Sequence, residues 1–203
     1  MGARLLLARH GQTEWHAENR YAGTSEVALT EEGLRQADAL AAYARRVKPD
    51  ALFCSPQRRA RRTIEPAAEA LELVPEIVTD LRETYFGIAE GRTRDEVRET
   101  DPDAVERFLA DPIAGAFPGA DDPAEAAGRG ARALRSIAAA TSGTALVVAH
   151  NTLLRLTLCQ LLGIPLSRYR SVFPRLDNAA VTELEVSGDR TALVRFNLPV
   201  EPR

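Results

Sequence analysis

The sequence predicts an α/β fold of three layers, in which helices cover both faces of a mostly parallel central sheet that carries one antiparallel edge strand. Three observations carry this. Short apolar runs alternate with longer stretches of helical periodicity, the order in which a parallel sheet is wound. Two of the runs, around Leu5-Leu6-Leu7-Ala8 and from Thr144 to Ala149, are apolar without a break, as strands covered on both faces must be. Near the end, two further runs flank Ser187-Gly188-Asp189, which reads as a hairpin.

The elements follow in order. Arg4 to Arg9 is a buried strand. Thr30 N-caps a helix that runs to Val47, with Glu31 and Glu32 suited to the positive end of the helix dipole. Leu34, Ala37, Ala41 and Ala44 form its apolar stripe. Ala51 to Cys54 is a short strand, and Ser55-Pro56 places an N-cap and a first-turn proline before a helix to about Leu71. Glu76 to Thr79 is a strand. Thr93 to Ala110 is one or two helices with a break near Asp101-Pro102, and Asp111 to Pro123 is a loop rich in Pro, Gly and Asp. Pro123 to Ala140 is helical, Thr144 to Ala149 is a strand, and Asn151 caps a helix to Leu162. Ala179 to Val186 and Thr191 to Phe196 are the hairpin strands. No repeat or linker divides the chain, so one domain is expected over residues 1–203.

Composition narrows the partners. The 203 residues are 45% hydrophobic and 27% charged, with a formal net charge of -3. No global field recruits nucleic acid or an anionic membrane, so any anion site is a local cluster of arginines. Cys54 and Cys159 lie in apolar runs and read as small core residues. No apolar run is long enough to span a bilayer. The first residues lack signal-peptide features, and Leu6 stands where N-acylation needs Ser or Thr. A cytoplasmic location is expected, with no membrane or nucleic-acid partner.

Chemistry collects where strands end, which is where open α/β sheets bind ligands. The first strand ends in Arg9-His10. The second opens the helix that carries Arg58, Arg59, Arg61 and Arg62, and the strand from Thr144 ends in His150. Adjacent strands would bring two histidines and several arginines to one rim. Arginines in a first helical turn oppose the dipole unless an anion binds there, and phosphate suits both the free N–H groups and the guanidinium forks. In such a pocket a neutral imidazole at His10, beside Gly11, can take a phosphoryl group. The other histidine, kept protonated, can stabilise the equatorial oxygens. A leaving alkoxide needs a carboxylic acid, for which Glu83 and Glu90 are available. Other chemistries fail on spacing. Five residues beyond Cys54 a cysteine-phosphatase arginine would fall on Ala60, no glycine-rich Lys-Ser/Thr loop is present, and flanking arginines oppose a metal cation.

Four stretches, ARHGQTEW (8–15), SPQRRARRT (55–63), LRETYFGIAEG (81–91) and VVAHN (147–151), resemble the ordered motifs of the histidine phosphatase superfamily, also called the phosphoglycerate mutase-like family. The resemblance spans nearly the whole chain. It implies a phosphoglycerate mutase-like fold, His10 as the phosphorylated nucleophile, and Arg9, Arg59 and His150 as ligands of the phosphoryl oxygens. Glu83 would be the proton donor that later activates water. Arg59 is the match rather than Arg58, because the family's arginine directly precedes the alanine. RYAGTSEVALTEEG (20–33) is similar to the segment after the first motif, which implies that Gly23, Thr24 and Ser25 line the substrate pocket.

Three positions depart from the pattern. His16 stands where the family usually has a phosphate-contacting Asn, GADD (119–122) replaces a Gly-Glu-Ser loop, and Asn151 replaces a glycine. His16 and Asn151 therefore count as substrate-side candidates. Asp121, Asp122 and His16 suggest a substrate less anionic than a bisphosphate. Trp15 and Tyr85 read as packing residues, and Arg168, Arg170 and Arg175 as surface residues of a loop that could reach the pocket mouth. The resembling mutases carry a longer basic insertion where Gly91 to Pro118 is short and acidic. The expected function is therefore hydrolysis of a small phosphomonoester, such as a sugar phosphate, through a phosphohistidine. A mutase-type isomerase and a non-catalytic phosphate-binding regulator are the alternatives. The expected partners are the phosphomonoester and inorganic phosphate, with a homodimer as one assembly; no cofactor or metal is required.

Overall fold

A computed structural model of the protein describes residues 2–200; Met1 and residues 201–203 of the expected domain lie outside the described residues. Six strands form one sheet in the order β3-β2-β4-β1-β5-β6. They are β1 (Ala3–Arg9), β2 (Ala51–Cys54), β3 (Glu76–Ile77), β4 (Thr144–Ala149), β5 (Val181–Ser187) and β6 (Arg190–Leu198). The helices are α1 (Glu31–Val47), α2 (Arg58–Leu71), α3 (Arg94–Thr100), α4 (Pro102–Ala110), α5 (Pro123–Ala140), α6 (Asn151–Leu162) and α7 (Tyr169–Val172). β1, β2, β3 and β4 are parallel. β5 runs against β1, and β6 turns back along β5. The antiparallel strand is thus second from the edge, and β6 forms the edge.

The continuous apolar strands are explained by the two cores. Successive strand residues face opposite sides. Leu5, Leu7, Ala145 and Val147 join a cluster with α5 and α6, while Leu6, Ala8, Leu146 and Val148 join another with α1 and α2. A third, smaller cluster of Ala89, Val97, Val105, Phe108 and Phe117 sits with α3 and α4, where Phe108 and Phe117 stack at 4.5 Å between ring centroids.

Four local readings need correction. Leu34 is largely exposed, and the buried face of α1 uses Gly33, Leu40 and Tyr43 beside Ala37, Ala41 and Ala44. Gly33 packs so closely on Gln12 that a Cβ there would collide with the Gln12 carbonyl. α2 begins two residues later than Ser55-Pro56 suggests, with Gln57 at the N-cap. β3 is only Glu76–Ile77, because Thr79–Leu81 turns into a 3-10 helix. At α6 the N-cap position belongs to His150, and Asn151 is the first helical residue. Thr30 caps α1 as expected, accepting from the Gly33 amide. Asp101 ends α3 and caps α4, so the helical stretch before Ala110 is two helices.

Candidate active site

The strand order decides the site. β4 lies between β1 and β2, with Arg9 opposite Ala149 and Cys54 opposite Val148. The residues that follow these strand ends, His10, Ser55 and His150, therefore emerge side by side. The His10 and His150 ring centroids are 5.2 Å apart, and those of His10 and His16 are 5.9 Å apart.

The neighbours of His10 fix its tautomer. Its Nδ1 lies 2.8 Å from the Gly11 carbonyl, which can only accept, so Nδ1 carries the hydrogen and Nε2 keeps the lone pair. Nε2 makes no hydrogen bond with any described residue. The Gly11 amide donates to Thr63 Oγ1 on α2 and locks the turn, and Asn178 Nδ2 donates to the His10 carbonyl at 2.8 Å. Burial first, then Arg59 and Arg9, hold His10 well below the usual imidazole range, so it is neutral near pH 7.

His150 is fully buried and also neutral, its value lowered by burial and then by Arg59. Arg59 Nε donates to its Nδ1 at 3.2 Å, so Nε2 bears the hydrogen and donates to Ser55 Oγ at 2.7 Å. The protonated histidine expected beside the nucleophile is therefore corrected to a neutral one. Arg59 is equally buried. Its other nitrogens donate to the carbonyls of Ala22, Gly23 and Ser25. Arg59 and His150 thus stand behind His10 as a hydrogen-bonded pair, while Arg9, His10 and Glu83 line a cavity of about 180 Å³.

Glu83 reaches that cavity from the loop after β3. Its carboxylate accepts from the amides of Thr84, Thr152 and Leu153, the last two at the start of α6. These bonds and Arg59 favour the charged form, but burial outweighs them and raises the carboxyl above its ordinary value. Glu90 has another task. It accepts from the Gly23 and Ser25 amides and from Ser25 Oγ, which shapes the loop against Arg59.

The remaining candidates separate. Arg9 donates to the Leu176 carbonyl and lies 2.6 Å from His16 Nε2, while its own Nε is buried without a partner. His16 takes the Thr13 amide on Nδ1 and is lowered to about 4 by burial and then Arg9. His16, Asn151 and Trp15 line the cavity. Gly23, Thr24 and Ser25 do not, since Glu90 draws two of their amides inward and Ala22 takes their place on the wall. Arg58, Arg61 and Arg62 lie elsewhere, and Arg62 pairs with Glu65. The anion expected at the start of α2 comes from the chain itself, as Glu26 accepts from the Arg58 amide. Asp121 accepts from the Tyr85 amide and Asp122 caps α5, and neither lines the cavity at His10.

Sequence reading passed over Ser55, Gln57, Asn178, Arg94 and Arg155. Gln57 accepts from the Glu83 amide and ties that loop to the start of α2. Asn178 has no motif around it, and only the β1–β5 pairing brings it to His10. Arg94, Arg155 and Arg170 line the same cavity, Arg170 while exposed as its surface reading expected, and Arg94 from a segment that is acidic overall. Among the described residues, no group of histidine, cysteine and carboxylate side chains could hold a metal ion.

Two neutral imidazoles, a carboxyl raised by burial and an arginine thus meet at one rim of the sheet. The chain belongs to the histidine phosphatase superfamily (branch 1), whose family model matches residues 5–199. It is 30% identical over 198 residues to phosphoserine phosphatase 1 of Hydrogenobacter thermophilus, covering 96% of this chain and 92% of that protein. It is 38% identical over 201 residues to the bifunctional protein Rv2228c of Mycobacterium tuberculosis, covering 95% of this chain but 53% of that protein, about half its length. The YhfR structure from Bacillus stearothermophilus superposes with a TM-score of 0.91 at 29% identity, covering 98% of this chain and 100% of that one. No helix among the described residues is long and apolar enough to cross a membrane.

Proposed function

We propose that the protein hydrolyses small phosphomonoesters through a phosphohistidine on His10. The observation that carries this is the fixed tautomer. The Gly11 carbonyl holds the hydrogen on Nδ1 and leaves Nε2, uncharged and unpartnered, as the attacking atom. His10 Nε2 attacks phosphorus in line, the ester P–O bond breaks, and Glu83 gives its proton to the departing oxygen. Glu83, now a carboxylate, then takes a proton from water. The water oxygen attacks phosphorus, the P–N bond breaks, and inorganic phosphate leaves. Arg9, with its unpartnered Nε, balances charge on the phosphoryl oxygens. Arg59 and His150 hold the floor on which His10 sits. Every step uses side chains of the chain and calls for no cofactor. A phosphoserine phosphatase matches 96% of the chain at 30% identity and a probable phosphoglycerate mutase matches 89% at the same identity, so release of free phosphate is what separates hydrolysis from isomerisation.

The test is phosphate release from a panel of sugar phosphates, phosphoamino acids and phosphoglycerates, with acid-quench trapping of the phosphoenzyme. Phosphate release with a labelled histidine is expected, and neither should survive in His10→Ala. An isomerised product without free phosphate would indicate a mutase. Tight phosphate binding without turnover would indicate a regulator.

A further inference from the structure

Glu83 is held from three elements, and one of them brings a charge that nothing pairs. Gln57, the N-cap of α2, accepts from its amide, and two amides at the start of α6 donate to its carboxylate. The third hold is Arg129 of α5. Its Nη1 donates to the carbonyl of Arg82, the residue before Glu83, at 2.8 Å and to that of Asp80 at 2.7 Å. Arg129 is only 7% exposed, and its Nη2 is buried with no hydrogen-bond partner among the described residues. None of the ion pairs among the described residues includes it. Such a guanidinium is costly to bury. A neutral side-chain amide has two N–H donors and could tether the same two carbonyls without that cost. Anchoring the loop therefore does not account for the charge.

The neighbours of Glu83 supply the reason. Burial raises the Glu83 carboxyl, and a nearby cation opposes that rise. Arg9 at the end of β1, Arg59 on α2, Arg155 on α6 and Arg129 all act on Glu83 in this sense. Tyr169 of α7, raised by burial, and the two histidines are uncharged near pH 7. The four cations are not equivalent. Arg9 and Arg155 line the cavity, where an anionic phosphate ester offsets them. Arg59 is committed to His150 and to three carbonyls. Arg129 lies outside that cavity, on the wall of a separate surface cleft with Arg82 and Arg132, and keeps its charge when the ester arrives. We propose that Arg129 is the positioning residue of the acid: it ties the backbone before Glu83 to α5 and sets a lasting positive charge beside the carboxyl, so that the proton is aimed at the departing oxygen and given up readily. The inference deepens the phosphatase reading and rests on Glu83 being its acid.

The test compares two leaving groups by kcat/KM, which reports the steps up to the phosphoenzyme. The best alkyl phosphate of the panel above needs a proton on its leaving oxygen. p-Nitrophenyl phosphate does not, because p-nitrophenolate is a stable anion. In full-length Arg129→Gln protein the alkyl ester is expected to lose about 10- to 100-fold and p-nitrophenyl phosphate little. The alkaline limb for the alkyl ester should move up by about one pH unit, because without the cation Glu83 keeps its proton to higher pH. Arg129→Lys keeps the charge but replaces the planar fork by one ammonium. It should leave the alkaline limb in place and lower the alkyl ester alone, by a smaller factor. Circular dichroism checks each fold. A merely structural role would lower both substrates together and leave the pH profile unmoved. A wild-type ratio of the two substrates in either folded variant would overturn the proposal, so Arg129→Lys decides it if Arg129→Gln fails to fold. Glu83→Gln separates the two readings. If it slows only the alkyl ester and the Arg129 variants do not, the Arg129 inference alone falls; if it too leaves the ratio unchanged, the acid assignment falls first. No turnover of any panel ester by the unmodified protein would remove the phosphatase reading and this inference with it.

Discussion

At the scale of single residues, protonation states direct the chemistry. Burial acts in opposite senses on the two reacting groups. It lowers the His10 imidazole, which stays a free base near pH 7, and raises the Glu83 carboxyl above its ordinary value. The proposed mechanism has His10 react neutral and Glu83 react protonated. As pH falls below about 6.5 toward the depressed His10 value, protonation removes the nucleophile and draws the acid limb of kcat/KM. As pH rises through the elevated Glu83 value, loss of its proton draws the alkaline limb. Glu83→Gln is expected to lower kcat by about 10²- to 10⁴-fold and to abolish that alkaline limb. An unchanged profile in the variant would assign the acid elsewhere.

His16 illustrates how one residue follows from its neighbours. The Thr13 amide donates to Nδ1, while Arg9 and Asn178 both present nitrogen to Nε2, at 2.6 and 3.2 Å. These donors outnumber the single lone pair of a neutral imidazole. A phosphoryl oxygen placed among Arg9, His16 and Asn178 would satisfy them together. Weaker inhibition by inorganic phosphate, by about 10-fold, is expected for His16→Phe, which removes the imidazole and keeps the ring volume. Inhibition constants measured at neutral pH would show it.

At the scale of elements, the site depends on how closely α5 and α6 approach. Gly130, inside α5, faces Thr157 of α6, and a Cβ there would collide with Thr157 Oγ1 and lie 3.2 Å from Leu153 Cδ1. In an open helix Gly→Ala gains about 1 kcal/mol. Here overpacking reverses the sign, and Gly130→Ala is expected to cost about 1–3 kcal/mol in urea unfolding. Thr157→Ala should relieve most of that loss, because it removes the obstructing atom. α6 also carries the amides that hold Glu83, so the double variant should recover activity along with stability. A second element-level device is Glu90, which read as an alternative acid. Its three bonds to the loop at Gly23 and Ser25 make it a clamp that positions the carbonyls around Arg59.

At the scale of the whole molecule, the buried histidines set the response to acid. His10 and His150 have folded values well below 6.5, so the unfolded chain binds their protons first. The stability they allow is complete above the unfolded value near 6.5 and is lost as pH falls from there toward the folded values. Each contributes a slope of up to about 1.4 kcal/mol per pH unit. Denaturant midpoints are expected to fall steeply between neutral pH and pH 5, and His150→Gln should flatten the curve. Inorganic phosphate bound beside neutral His10 should offset part of the loss by mass action.

Much of this was readable from the chain. Leu5-Leu6-Leu7-Ala8 and Thr144–Ala149 announced strands covered on both faces, because no other element needs so continuous an apolar run. Thr30 announced a helix start, because caps act within three residues, and Asp101-Pro102 announced a break. Arg9-His10 and His150 announced a polar cluster at one rim, because a polar group after such a strand emerges at the sheet's carboxyl edge. What sequence left undecided depends on distance across the fold. That His150 stays neutral follows from burial and then from Arg59, which lies 91 positions away along the chain but 3.2 Å away in space. That Arg155 is buried on a cavity wall follows from the residues of α3, α4 and α7 that share that cavity. Local propensity and pattern fix what a segment becomes, but burial and charge pairing are sums over neighbours that only folding assembles.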